Sequence, residues 1–251
     1  MSGDLELIAD QSARQGGEAT AREIAQQPAV WREVNNLLAS RRDDIDAFLR
    51  PLLADPDLRV VMTGAGTSAF AGEILSPALS RHMGRGVDAV ATTEIVSNPE
   101  ECFADDRPTL LVSFARSGNS PESVAATEFA NRFLSECHHL VLTCDRSGRL
   151  YEKHARATDS FVLLMPEATN DQGFAMTSSF TSMTLAAWLI FGTVADSDEL
   201  VGRLATAAER ILVTRQEDIR RLASSATSGS STSAAVRSRD SPTNPHSNSW
   251  S

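Results

Sequence analysis

The chain has 251 residues, 41% hydrophobic and 22% charged, the balance of a soluble protein with one substantial core. Its net charge of −10 leaves no broad cationic surface, so no nucleic-acid partner is expected. No apolar run reaches the roughly 20 residues that cross a bilayer, and the N-terminus "MSGDLELIADQSARQGG" lacks the basic and apolar parts of a signal peptide. No membrane partner is expected either, and the expected location is the cytoplasm.

Residues 1–27 are polar and read as a loose arm with one helical turn. From Pro28, the residues Trp31, Val34, Leu37, Leu38, Ile45, Phe48, Leu49 and Leu52 recur at steps of three and four, one face of a helix or of two successive helices. Residues 1–50 are thus an arm with helices. Five short apolar runs follow: "LRVVMTG", the weaker "GVDAVATT", "TLLVSFA", "HHLVLTCD" and "DSFVLLMP". Such runs suit strands covered on both faces. The helical stretches between them, "SAFAGEILSPALSRHM", "PESVAATEFANRFLSE" and "GRLYEKHARA", predict an α/β fold with a parallel sheet and right-handed crossovers. Pro77 should kink the first of those helices.

Beyond the fifth strand, "GFAMTSSFTSMTLAAWLIFGTV" has helical length. "SDELVGRLATAAERILVTRQEDIRRLA" reads as one amphipathic helix with Ser197 as its N-cap. From Ser224 the composition turns to Ser, Thr, Asn and Pro, and 224–251 reads as disordered. Cys102, Cys137 and Cys144 form no CxxC pair, and "ECHHLVLTC" reads as a strand rather than a metal site. His82, His138, His139, His154 and His246 read as surface or strand positions. No metal and no cofactor is expected.

Two strand-to-helix turns carry the chemistry. In "TGAGTSAF", Gly64 and Gly66 permit a tight turn, and Thr67 and Ser68 bring hydroxyls to a helix start. In "ARSGNSPES", Gly118 bends the chain, Ser117, Asn119 and Ser120 supply polar groups, Pro121 opens a helix and Arg116 adds a charge. A dinucleotide turn would need a third glycine, but Ala69 stands there. Two such turns after central strands make an anion site of two helix N-termini, and phosphate binding explains them better than capping alone.

These words, with "LLMPE" and "GFAMTSSFTSM", resemble the sugar isomerase (SIS) domain in its tagatose-6-phosphate ketose/aldose isomerase branch, also described as galactosamine-6-phosphate deaminase/isomerase. The resemblance runs from about Pro28 to Thr214. It implies a three-layer flavodoxin-like sandwich at 51–197 with a five-stranded parallel sheet. It also implies a hexose phosphate or amino-sugar phosphate ligand held by Gly66, Thr67, Ser68, Arg116, Ser117, Gly118, Asn119 and Ser120, with Thr177 contributing. Family members often dimerise. Ala115 stands where many SIS domains have serine, which removes one phosphate hydroxyl.

Isomerisation through an enediol needs a base, and deamination adds water attack on an imine. Glu73, Glu94 and Glu122 are the carboxylates at hand, but Glu73 and Glu122 fit better as helix-face charges, so the catalytic residues stay unassigned. By resemblance they lie in a second SIS domain, towards which the helix 198–223 would lead. Two readings follow: an isomerase or deaminase represented by its first domain, or a phosphosugar-binding module without turnover. The codons for "STSAAVRSRDSPTNPHSNSWS" also permit, in a shifted frame, "YLGSG" followed by "GLA-x-ESALKLLE", which resembles the opening of a second SIS domain. The tail is therefore expected to be a reading-frame accident.

Overall fold

The computed structural model describes residues 17–192 and 194–224. The tail beyond Ser224, with its expected disorder and shifted frame, lies outside the described residues.

Helix α1 covers Glu18–Ser40 and α2 covers Arg42–Leu53. The loose arm expected up to residue 27 is corrected here, since α1 begins ten residues before Pro28. Its first turns carry Ala19, Ala21 and Ala25, strong helix formers. Pro28 cannot donate to the Ile24 carbonyl, and the Gln27 side chain does so instead at 3.4 Å. The polar residues that suggested an arm face another part of the protein: Gln26 Nε2 donates to the Ala168 carbonyl at 2.7 Å, and Gln27 Oε1 accepts from Thr181 Oγ1 at 2.7 Å.

Strands β1 (Arg59–Gly64), β2 (Val87–Ala89), β3 (Thr109–Ala115), β4 (Cys137–Thr143) and β5 (Ser160–Leu164) form one parallel sheet in the order β2-β1-β3-β4-β5. This is the flavodoxin-like order, and its direction reverses between β1 and β3. The connections are α3 (Thr67–Met83), α4 (Thr92–Ser97) with α5 (Pro99–Cys102), α6 (Pro121–Phe133) and α7 (Arg149–His154). Helix α3 continues through Pro77 and ends at Gly84, which takes the left-handed conformation at φ 64°. Beyond β5 come α8 (Ser178–Phe191) and α9 (Ser197–Thr214).

Strand alternation sends side chains to two cores. Val60, Met62, Leu110, Val112, Phe114, Leu140, Leu142 and Leu163 pack with α1, α2, α3 and α8. Val61 and Leu111 meet Ile95, Phe103, Ala126 and Ala130 on the other face. Strand β3 is buried at every position, as its unbroken apolar run requires.

The single helix expected over 197–223 is two. The cap of α9 is Asp196, which accepts from Glu199 N–H at 2.8 Å, rather than Ser197. The helix ends at Thr214, whose hydroxyl bonds back to the Arg210 carbonyl at 2.7 Å after the β-branched Ile211 and Val213. Gln216–Ser224 is a separate helix, α10, with Glu217 and Asp218 in its first turn. Among the described residues no helix is long and apolar enough to cross a membrane.

One buried pair was not legible as such. His139 on β4 and His154 on α7 are buried, with ring centroids 4.6 Å apart. His154 is thus neither a surface nor a strand position: α7 turns it inward, where its Nδ1 meets Ser160 Oγ at 2.8 Å. His139 Nε2 lies 2.7 Å from Asn131 Oδ1. Burial, then the neighbouring His154, pushes the His139 imidazole down to about 3; burial, then Lys153, pushes His154 down to about 4. Both are neutral when folded at neutral pH, whereas in the unfolded chain they take up protons near pH 6.5. Stability is therefore full above about pH 6.5 and is lost as the pH falls from there towards the folded values. Each imidazole should cost about 2 kcal/mol at pH 5. Urea unfolding should show a drop of about 4 kcal/mol between pH 7 and pH 5, roughly halved in His154→Gln. A flat profile over that interval would contradict the burial.

Candidate functional site

Strand β1 ends at Gly64, and α3 begins three residues later. A Cβ on Gly64 would lie 2.6 Å from the Ser68 carbonyl carbon, so only glycine lets the strand end and the helix start approach. Gly66 takes φ 56°, turning the chain between them. The start of α3 has no side-chain cap; Ser68 N–H and Ala69 N–H turn back to the Ala65 and Gly66 carbonyls at 3.1 and 3.0 Å.

The second turn leaves β3 at Ala115. Gly118 takes φ 65°, and a Cβ there would already touch Leu150 Cβ and Thr143 Oγ1 at 3.4 Å. Ser120 caps α6, accepting from Ser123 N–H at 3.2 Å and donating to Ser123 Oγ at 2.6 Å. Ser117 Oγ accepts from Asn119 N–H at 3.3 Å.

The two turns meet in one cavity of about 130 Å³ at the β1/β3 switch point, lined by Ala65, Ser68, Phe114, Ala115, Arg116, Ser117, Gly118, Ser120, Ser123 and Met176. At about 30 Å³ per water, that is room for a phosphate-sized group. Ser68 is buried there, its hydroxyl 3.6 Å from the weak acceptor Met176 Sδ. Arg116 supplies the charge. Its Nη1 donates to the Gly173 carbonyl at 3.2 Å, and among the described residues it makes no ion pair.

Ser68, Arg116, Ser117, Gly118 and Ser120 are therefore brought together. Gly66 and Thr67 are exposed beside the cavity at the start of α3. Asn119 turns outward, its Oδ1 accepting from Arg149 N–H at 3.1 Å at the start of α7. Thr177 gives its N–H (2.8 Å) and hydroxyl (3.3 Å) to Asp171. Asp171 also accepts from Ser178 N–H at 3.1 Å and Ser179 N–H at 2.9 Å. A carboxylate thus fills the N-terminus of α8, whereas Ser68 of the first turn of α3 and Ser120 and Ser123 at the start of α6 line the cavity.

Sequence reasoning missed Ser123, which stands three residues after the Ser120 cap, a spacing that signals reciprocal bonding. It also missed the buried carboxylates Asp171 and Glu23, which carry no local signal. Among the described residues no carboxylate or imidazole lines the cavity; Glu73, Glu94 and Glu122 all lie outside its lining. Larger cavities, of about 530, 620 and 200 Å³, lie elsewhere among the described residues. The first lies at the C-termini of α2, α3 and α8, and its lining includes Arg42, Arg50 and Arg85 beside Asp46. It is the rival place for an anion, but it lies away from both hydroxyl-rich turns. The second is lined by Leu58, Arg59 and Asp88, away from the carboxyl ends of the strands.

The SIS domain family model matches residues 52–192. A Streptomyces coelicolor relative that bears the name D-galactosamine-6-phosphate deaminase AgaS provisionally is 63% identical over 193 residues, 77% of this chain and 50% of that protein. The D-galactosamine-6-phosphate deaminase AgaS of Escherichia coli is 45% identical over 199 residues, 79% of this chain and 52% of its own. The crystal structure of tagatose-6-phosphate ketose/aldose isomerase from Escherichia coli superposes with a TM-score of 0.77 at 42% identity, covering 81% of this chain and 56% of that one. The chain spans about half the length of the curated relatives it matches.

Proposed function

Because the chain belongs to the SIS domain family, matched over residues 52–192, we propose that its cavity holds the phosphate of a hexose or amino-hexose phosphate, D-galactosamine 6-phosphate first among them. The chain is then the phosphosugar-binding part of an isomerase or deaminase. The observation that carries this reading is the meeting of two hydroxyl-rich turns and one unneutralised guanidinium in a single phosphate-sized space. Ser68, Ser117 and Ser120 would donate hydroxyls, Arg116 a charge, and Gly66, Thr67 and Gly118 backbone N–H groups. Asn119 and Thr177 would hold the turns in place through Arg149 and Asp171.

A second reading, binding without turnover, is favoured by one observation: the lining offers no base. Groups from outside this cavity, supplied by further sequence or by dimerisation with a second chain, would have to move the proton. A cytoplasmic setting belongs to the proposal, since charged sugar phosphates do not diffuse through membranes. Calorimetry tests it. D-galactosamine 6-phosphate should bind at least tenfold tighter than D-galactosamine, because charge-assisted bonds to phosphate contribute about 1.5–3 kcal/mol each. Equal affinity for the two would defeat the reading.

A further inference from the structure

We propose that Glu23, on α1, is a positioning residue for Arg116, acting through the peptide groups of Gly173. The proposal rests on reading the cavity as a phosphate site. Glu23 is 3% exposed, and its Oε1 accepts from Gln172 N–H at 2.6 Å and from Gly173 N–H at 2.9 Å. Its Oε2 accepts from the same Gly173 N–H at 3.2 Å. On the far side of that residue, the Gly173 carbonyl accepts from Arg116 Nη1 at 3.2 Å.

A side chain at the centre of the link would displace the Glu23 carboxylate or Thr20. A Cβ on Gly173 would lie 2.6 Å from Thr20 Oγ1 and 2.7 Å from Glu23 Oε2. Helix α1 is anchored at the same place, since Ser178 Oγ donates to the Glu23 carbonyl at 2.7 Å.

Burying a carboxylate is unfavourable unless hydrogen bonds compensate it, so the group it fixes matters. A carboxylate bonded directly to Arg116 would orient the guanidinium and also cancel its charge. Placed one residue away, Glu23 fixes the carbonyl that orients Arg116 and leaves the positive charge for the ligand. Ordering a long side chain before binding saves the entropy that the ligand would otherwise have to offset.

The test titrates D-galactosamine 6-phosphate into the full chain and into Arg116→Ala, Glu23→Gln and the double variant, with thermal unfolding to confirm folding. Arg116→Ala should bind at least tenfold more weakly, and Glu23→Gln about fivefold more weakly. The double variant should be no weaker than Arg116→Ala alone. A Glu23→Gln variant that binds like the parent, or whose loss adds in full to that of Arg116→Ala, overturns the positioning role and leaves the phosphate reading standing. An Arg116→Ala variant that binds like the parent overturns the phosphate reading of Arg116 itself. If Glu23→Gln does not fold, Gly173→Ala interrupts the same link. It should weaken binding about fivefold when Arg116 is present and not when it is absent; a loss independent of Arg116 overturns the proposal.

Discussion

Replacing Ser117 and Ser120 together with alanine is expected to weaken D-galactosamine 6-phosphate binding at least tenfold, and about a hundredfold if both hydroxyls reach the phosphate. Each hydrogen bond to a charged oxygen contributes about 1.5–3 kcal/mol, and both residues line the same cavity. Their present bonds differ, which makes the single variants informative. Ser120 caps α6 through Ser123, so Ser120→Ala should also lower stability by about 1 kcal/mol. Ser117 only accepts a 3.3 Å bond from Asn119 within its own turn, so Ser117→Ala should change affinity with little change in unfolding. Calorimetry beside urea unfolding separates the two. A double variant with parental affinity would remove the second turn from the site.

The second large effect concerns turnover. Incubated with D-galactosamine 6-phosphate, the chain alone is expected to release ammonia and ketose phosphate at least a hundredfold more slowly than a full-length relative. General acid–base catalysis contributes about 10²–10⁴-fold, and the cavity lining holds no group to supply it. Robust turnover would mean that a base outside this lining reaches the sugar. The residues after Ser224 bear on this, because their codons permit a second SIS-like opening in another frame. We propose that sequencing the gene finds that frame open and continuing; a stop codon within the stretch would end the idea.

The sheet and both turns were legible because their signals are local. Apolar runs of strand length, glycines at the turns and Ser-Pro at a helix start each act within a few residues. The misread parts depend on distant partners. Glu23, Gln26 and Gln27 look like a polar arm until the segment 168–181 is laid against them, and Pro28 gave a false boundary because Gln27 serves the carbonyl that the proline leaves free. Residue type named Asn119, and the resemblance named Thr177, as polar groups near the ligand, but neither carries their direction, which Arg149 and Asp171 set. His154 gave no outward sign of burial, since α7 is too short to show an apolar face of its own.

The most direct measurement of the phosphate site is a ¹⁵N–¹H spectrum recorded through titrations with D-galactosamine 6-phosphate and with D-galactosamine. The phosphorylated sugar should shift the amides of residues 64–69 and 116–123 together, at one affinity, and the unphosphorylated sugar should leave them nearly unmoved. Shifts centred instead on Arg42, Arg50 and Arg85 in the cleft of about 530 Å³, or equal shifts with both sugars, would contradict the proposed site.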